Sequence, residues 1–407
     1  MSVSRAVRLA LLAGLGAGAA GSCFVGGYQL LGGDGGDGGA GGGNLPDAAG
    51  GTGGGCRHAT WPLPPDTSDP GPDVDVVFAI RKVDFGEGSL QSGPGVGYDL
   101  DNRCTCQGEG TLCLEPSWAT ADHCDGPEGR DNAASQLFST LSVFTDTLSS
   151  ATNSQQAEAG AWTLLVRIRQ YNGQANDQQV VASLYPSPGR DNDPCFGNSF
   201  APAWDGTDQW PVPAESLKGS GGAPADAGTG DGGCQPDAGA GLDLDDPRYS
   251  DPAAYVHNWV LVANLPQAGL LLSSASRSTI VKITAGFLTA RIAYNGSTGR
   301  WTLREGLLVG RWKTSDFLTM LDTFVAGGQP LCTDNSIYPV AKGAICDYAD
   351  VASTLGGPTT QCDSISFGMA FEAEDARLGH IVHSAPSGSL CPPATDPAYD
   401  DCGTGGG

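Results

Sequence analysis

The chain has 407 residues, enough for two average domains or one large β domain with insertions. Forty-five acidic side chains against 21 basic ones give a formal net charge of −24, which repels nucleic acid and anionic lipid headgroups and argues against both as partners. Glycine, at 62 residues, is about twice its usual ~7% share but is concentrated in a few stretches, which leaves room for an ordinary core elsewhere.

The chain opens MSVSRAVRLALLAGLGAGAAGSC. Arg5 and Arg8 form a basic start, and Leu9 to Gly21 an apolar run too short to span a ~30 Å hydrocarbon core. Residues 1–22 therefore read as an export signal rather than a transmembrane span. Ala20-Gly21-Ser22-Cys23 resembles a bacterial lipobox, with Ala20 where leucine is usual and Gly21 where alanine is usual. The resemblance implies lipid attachment at Cys23 and an anchor on the outer membrane or cell surface. Cleavage after Ala17 or Ala19 would instead release a secreted protein. Residues 23–73 are rich in glycine, aspartate and proline, bury nothing, and read as a disordered tether with a reach of ~40 Å.

From Val74 the pattern changes to that of a single β-rich domain, residues 74–402. VDVVFAIRKVDF, WTLLVRIRQY, VVASLYPS, WVLVANL, TIVKITA and GFLTARIAY are strand-like. In the second, Val166 and Ile168 alternate with Arg167 and Arg169, the period-two mark of a strand with one buried face. GFLTARIAYNGSTGRWTLREG reads as a hairpin around the Asn295–Arg300 turn. DNAASQLFSTLSVFTDTLSS places Leu137, Leu141, Phe144 and Leu148 on one helical face behind an N-cap at Asp131 or Asn132. TSDFLTMLDTFVAGG does the same with Phe317, Leu321 and Phe324, capped at Thr314 or Ser315 and ended at Gly327-Gly328. Residues 218–241 are low-complexity and read as an exposed insertion. The expected fold is mainly β: a disulfide-stapled antiparallel β-sandwich, jelly-roll or lectin-like in its strand spacing, with two or three packed helices.

Of 13 cysteines, 12 remain once Cys23 is set aside, enough for six bridges in an exported chain. Cys104, Cys106, Cys113, Cys124, Cys195, Cys234, Cys332, Cys346, Cys362, Cys391 and Cys402 are assigned to disulfides. A Cys195–Cys234 bond would tie down the insertion. Cys104 and Cys106 would be strained as mutual partners, with Cys113 and Cys124 their nearest alternatives. The spacing of these four does not suit a zinc site. Around them lie Asp99, Asp101, Asp125, Glu128 and Asp131, hard oxygen donors that disulfides would fold together, and calcium is the ion they would suit.

No nucleophile elbow, zinc-protease motif, phosphate loop or dinucleotide fingerprint occurs. His380 and His383 would face opposite ways on a strand. Glu372 and Glu374 share a strand face, the raw material of a glycosidase pair. In AWDGTDQWPV, Trp204 and Trp210 with Asp205 and Asp208 combine stacking and hydrogen-bonding groups in the manner of a sugar site. The lipobox-like end, GYDLDNRCTC, CDGPEGRDN, LLVRIRQYNGQANDQQV and WDGTDQW together resemble a set of cysteine-rich exported proteins of myxobacteria. That resemblance implies export and a disulfide-stabilised domain and carries no activity with it. The functional expectation is a non-enzymatic, envelope-tethered or secreted module that binds an extracellular glycan or surface protein. A secreted carboxylate-dependent glycoside hydrolase and a purely structural envelope component are the alternatives.

Overall fold

A computed structural model of the chain describes residues 56–87, 95–115, 119, 123–142, 145, 147–190, 201–219, 242–274, 277–326, 328–354, 360–382 and 389–403. Eleven strands and four α-helices occur among them. They are β1 (Val74–Asp84), α1 (Ala133–Leu141), α2 (Ser150–Ala159), β2 (Thr163–Tyr171), β3 (Asp177–Ser187), β4 (Gln209–Pro213), β5 (Tyr249–His257), β6 (Val260–Ser274), β7 (Arg277–Asn295), β8 (Arg300–Lys313), α3 (Thr314–Met320), β9 (Val325–Ala326), β10 (Gln329–Pro330), α4 (Tyr338–Asp347) and β11 (Ser364–Val382).

The mainly-β, antiparallel expectation holds, but the sheet is a closed barrel and not a sandwich. Strands run in the order β1-β2-β3-β5-β6-β7-β8-β11, and β11 pairs back onto β1, antiparallel throughout. Closure runs from Asp84↔Ala370 to Val77↔Ala376. Sandwich and barrel share the same inward–outward alternation, so strand patterning alone does not separate them. Val76, Phe78 and Ile80 of β1 point inward with Leu164, Val166 and Ile168 of β2 and Phe367, Met369 and Phe371 of β11. Arg167 and Arg169 face outward to Asp245, as the alternation requires.

The Asn295 hairpin forms as read, with Asn295↔Arg300 closing it and the Asn295 carbonyl side chain accepting from Ser297 N. TIVKITA and GFLTARIAY, however, are one strand, β7, kinked where its register to β8 shifts between Thr284 and Phe287 and Ala285 takes a φ of 47°. The first helical stretch is also different. Helix α1 stops at Leu141, and α2 is a separate helix started by Ser149, whose side chain accepts from Thr152 N, and ended by left-handed Gly160. Asn132 holds the N-cap position of α1 but spends its side chain on Phe85 O and Gly368 N, tying helix to barrel. Helix α3 is capped at Lys313 rather than at Thr314 or Ser315, and passes into a short 3-10 turn ending at Thr323. Phe144, Gly327 and His383 lie outside the described residues.

The helices pack at the barrel end where β1 and β8 finish and β11 begins. There the Phe138 ring meets Phe85, Phe367, Trp312 and Phe317, and Trp312 stacks on Phe317 with centroids 3.9 Å apart. A second, smaller core lies outside the wall. β4 runs parallel to the far half of β11 and carries Trp210 and Val212 onto Ala79, Leu165 and Tyr185, the outward residues of β1, β2 and β3.

Part of the expected tether, residues 56–73, is ordered against the domain. Ala59 is buried, Trp61 stacks on Phe287 at 3.8 Å, and Tyr255 and His257 bond the carbonyls of Pro62 and Leu63. Low hydropathy hides this, because apart from Ala59 and Trp61 the docking is made by polar groups, the Cys56 disulfide, His58, Ser68, Asp69 and backbone carbonyls. Five disulfides join all ten described cysteines: Cys56–Cys104, Cys106–Cys124, Cys113–Cys362, Cys332–Cys391 and Cys346–Cys402. They place the domain in an oxidising environment. Cys106 takes one of its two nearest candidates. Cys104 instead reaches back to Cys56, and Cys113 goes 249 residues forward. Cys23, Cys195 and Cys234, and all but the first two residues of the 218–241 insertion, lie outside the described residues. No helix among the described residues is long and apolar enough to cross a membrane.

Candidate functional site

Two features have the chemistry of a site, an acidic cluster on one flank of the barrel and a groove at the barrel end away from the helices.

The cluster forms where residues 95–115 and 123–131 lie against the outer wall of β7, β8 and β11. Tyr98 Oη is 2.9 Å from Thr289 Oγ1, and Arg311 Nη2 donates to Leu100 O at 2.5 Å. Cys56–Cys104 ties this loop to the incoming chain, Cys106–Cys124 closes its tip, and Cys113–Cys362 fastens it beside the start of β11. Carboxylate oxygens of Asp99, Asp101 and Asp131 lie within 4.8 Å of one another. Asp125 is within hydrogen-bond reach of Asp131, and Asp350 is close enough to act on both.

Backbone amides hold each acid in place. Asp99 Oδ1 accepts from Asn102 N and Arg103 N, Asp131 Oδ2 from Leu100 N, and Asp125 Oδ2 from Thr105 N. Asp350 accepts from both the amide and the hydroxyl of Ser366. These bonds do not offset the loss of water and the crowding of like charge. Burial, then Asp99, raises the Asp101 pKa; burial raises Asp99 itself. Burial, then Asp101 and Asp350, lifts Asp125 to about 7. Burial lifts Asp350 to about 6, and burial, then Asp101, Asp350 and Asp125, holds Asp131 well above the usual carboxylate range. Arg311 faces the group, itself held below its ordinary pKa by burial, with Arg103 beside Asp101 and His58 on Asp99.

Two carboxyl groups in hydrogen-bond reach need a proton or a cation between them. The oxygens of Asp99, Asp101 and Asp131 are the ones a hard divalent ion such as calcium could share. Of the acids expected to bind metal, the fold gathers these three and sets Asp125 beside them. Glu128 departs: it pairs with Arg130 at 3.2 Å and faces Arg57. His58 and Cys104 also converge on Asp99, but the Cys104 sulfur is committed to Cys56 and offers no thiolate. Asp350 and Arg311 lie 180 or more residues downstream of the loop, and its docking on the barrel wall brings them in.

The WDGTDQW segment does not form the expected sugar site. Trp210 is fully buried in the outer core, and no ring face is left for a ligand. Trp204 is half-buried, with Arg81 lying 5.4 Å over its ring and its indole N–H donating to Glu158 O. Asp208 is structural: it accepts from Arg190, Ala203 N and Trp204 N and sets the turn. Asp205 is exposed, closes a local turn onto Thr207, and those bonds lower its pKa.

The same turn borders the second feature, because Gly206 approaches Asp375. β11 leaves β1 after Ala376 and turns to β4, which opens a groove of about 800 Å³ over the start of β1. Its walls carry Arg167, Asp243, Asp245 and Asp75 on one side and Trp301, Asp375 and Arg377 on the other. Arg167 clamps Asp75 and Asp245 at 2.6 Å each, and the contact with Asp75 leads in holding its charge firmly. Burial raises the Asp375 pKa against backbone bonds from Trp301 and Ala376. Sequence reasoning missed this groove. The available signal was a tryptophan directly after the Asn295 turn, a position that puts a large ring at a strand end.

Glu372 and Glu374 do share an outward face, but Lys82 engages the first at 3.7 Å and Arg304 the second at 2.8 Å. Comparison with family models, with curated proteins and with solved structures finds no match for the chain.

Proposed function

We propose that this chain is an exported, non-enzymatic binding module, carried at the cell surface on a lipidated Cys23 or released from it, that takes an extracellular ligand in the groove between β1 and β11. The groove is the observation that carries this reading. Its volume of about 800 Å³ falls in the range of ligand sites, ~300–1,000 Å³, and it joins one aromatic ring to guanidinium and carboxylate groups. The rigid support is also what a binding site needs: a closed barrel, five disulfides and an outer core that packs β4 beside the groove. The competing hydrolase would need one glutamate free as acid and its neighbour as base or nucleophile, and each is engaged by its own cation.

Thermal unfolding of the oxidised chain with extracellular glycans and surface-protein fractions tests the reading, with the same mixtures chromatographed for new products. A rise in Tm without product supports binding. Product formation that Glu372→Gln or Glu374→Gln abolishes in a folded chain would establish hydrolysis instead.

A further inference from the structure

We infer that the ligand of this groove is a neutral oligosaccharide chain, laid from the aromatic pair Tyr294–Trp301 toward Arg377; this deepens the binding-module reading and rests on it. Three observations point to that chemistry. First, Tyr294 and Trp301 face each other across the β7–β8 pair with centroids 4.6 Å apart, and Tyr294 is 52% exposed. Trp301 is braced edge-on by Tyr171 and lines the groove, and Tyr294, its ring tilted 45° to Trp301, extends the apolar surface beside the groove's rim. The C–H faces of sugar rings stack on such surfaces, and a rigid aromatic pair loses little entropy in receiving them.

Second, both walls carry both signs of charge. Arg167 is already neutralised by Asp75 and Asp245, and Arg377, exposed and without an ion pair among the described residues, stands beside Asp375. A polyanion would meet the carboxylates and a polycation the guanidinium groups, whereas hydroxyls, which both donate and accept, match donor and acceptor alike. Third, the site is a groove over a strand edge and not a closed cavity, which suits a chain with several rings in register better than one small molecule.

The test titrates the full oxidised chain, followed by tryptophan fluorescence and calorimetry, with cellohexaose, maltohexaose and chitohexaose, and with oligolysine and oligoglutamate as charged peptide probes. Trp301→Ala and Arg377→Ala are compared with the parent; Arg377 is exposed, so the second variant remains informative should the first destabilise the hairpin. Saturable binding of at least one hexaose, weakened about ten-fold by each variant, is the expected result. Hexaose binding that neither variant changes would overturn the groove as the site while leaving a binding module. Binding of a peptide probe but no hexaose would overturn the ligand class alone. Silence with all five probes would overturn the oligosaccharide inference, and the Tm screen against surface fractions then decides separately whether the binding-module reading falls with it.

Discussion

The five aspartates behind the stapled loop make stability fall as pH rises, opposite to the usual behaviour of carboxylates in folded proteins. A carboxyl whose pKa is higher folded than unfolded takes up a proton on folding. Its favourable contribution is complete below the unfolded value and is lost as pH climbs through the folded one. Asp350, buried and raised from 3.8 to about 6, shows the size of the effect. About two units of displacement at ~1.4 kcal/mol each come to about 3 kcal/mol lost between about pH 4 and about pH 6. For a domain of this size that is about 5 °C in Tm. Asp99, Asp101, Asp125 and Asp131 shift in the same direction and steepen the fall.

The assay is thermal unfolding across this range in EDTA, for the parent chain and for Asp350→Asn, which keeps an acceptor for Ser366 but cannot ionise. The variant should match the parent at about pH 4 and exceed it by about 5 °C near neutrality. Equal melting at both ends, or a variant less stable at neutral pH, would refute the reasoning. Millimolar calcium adds a second reading. An ion seated on Asp99, Asp101 and Asp131 keeps them ionised, raises Tm near neutrality and flattens the parent's slope; no rise leaves protons as the counter-charge.

Other outcomes follow from packing and covalent structure. Replacing Cys106 and Cys124 with serine opens an 18-residue span and should cost about 3 kcal/mol, read as a lower denaturant midpoint with the barrel retained. Opening Cys113–Cys362, which spans 249 residues, should cost more, and an equal or smaller loss would show that the loop is held by its backbone bonds instead. Trp210→Ala removes the fully buried tryptophan of the outer core and should cost about 3–5 kcal/mol, whereas a variant that kept its stability and lost ligand would restore Trp210 to a binding role. Gly129→Ala should be poorly tolerated by circular dichroism and melting, because at φ +69° its Cβ would come within 2.7 Å of Arg103 O and 2.9 Å of the Cys104 sulfur.

The strands were legible because their period-two pattern survives any sheet architecture. Val166 and Ile168 are inside and Arg167 and Arg169 outside whether the sheet opens or closes. Closure itself depends on the Val77↔Ala376 pairing, a contact across 299 residues that no local pattern carries. The acidic cluster was half legible for the same reason. Asp99, Asp101, Asp125 and Asp131 sit within one disulfide-rich stretch, while Arg311 arrives from β8 and Asp350 from the segment between α4 and β11. Tryptophans beside aspartates misled at Trp204 and Trp210, because composition cannot distinguish a ring that presents its face from one that fills a core. Helix α4 went unread because Pro339, Val340 and Gly343 weaken its helical signature; its Tyr338, Ala341 and Ile345 are nevertheless buried in the main core, where α4 packs on α1 and α3.

The most direct test of the groove as the binding site is amide hydrogen exchange of the full oxidised chain with and without chitohexaose. The structure predicts slowed exchange centred on residues 74–77, 243–245 and 375–378 and on the hairpin at Trp301, with Arg167 and Gly206 the other residues that line the groove. Protection centred on residues 203–210 or on the loop from Asp99 to Asp131, with the groove segments unchanged, would contradict it.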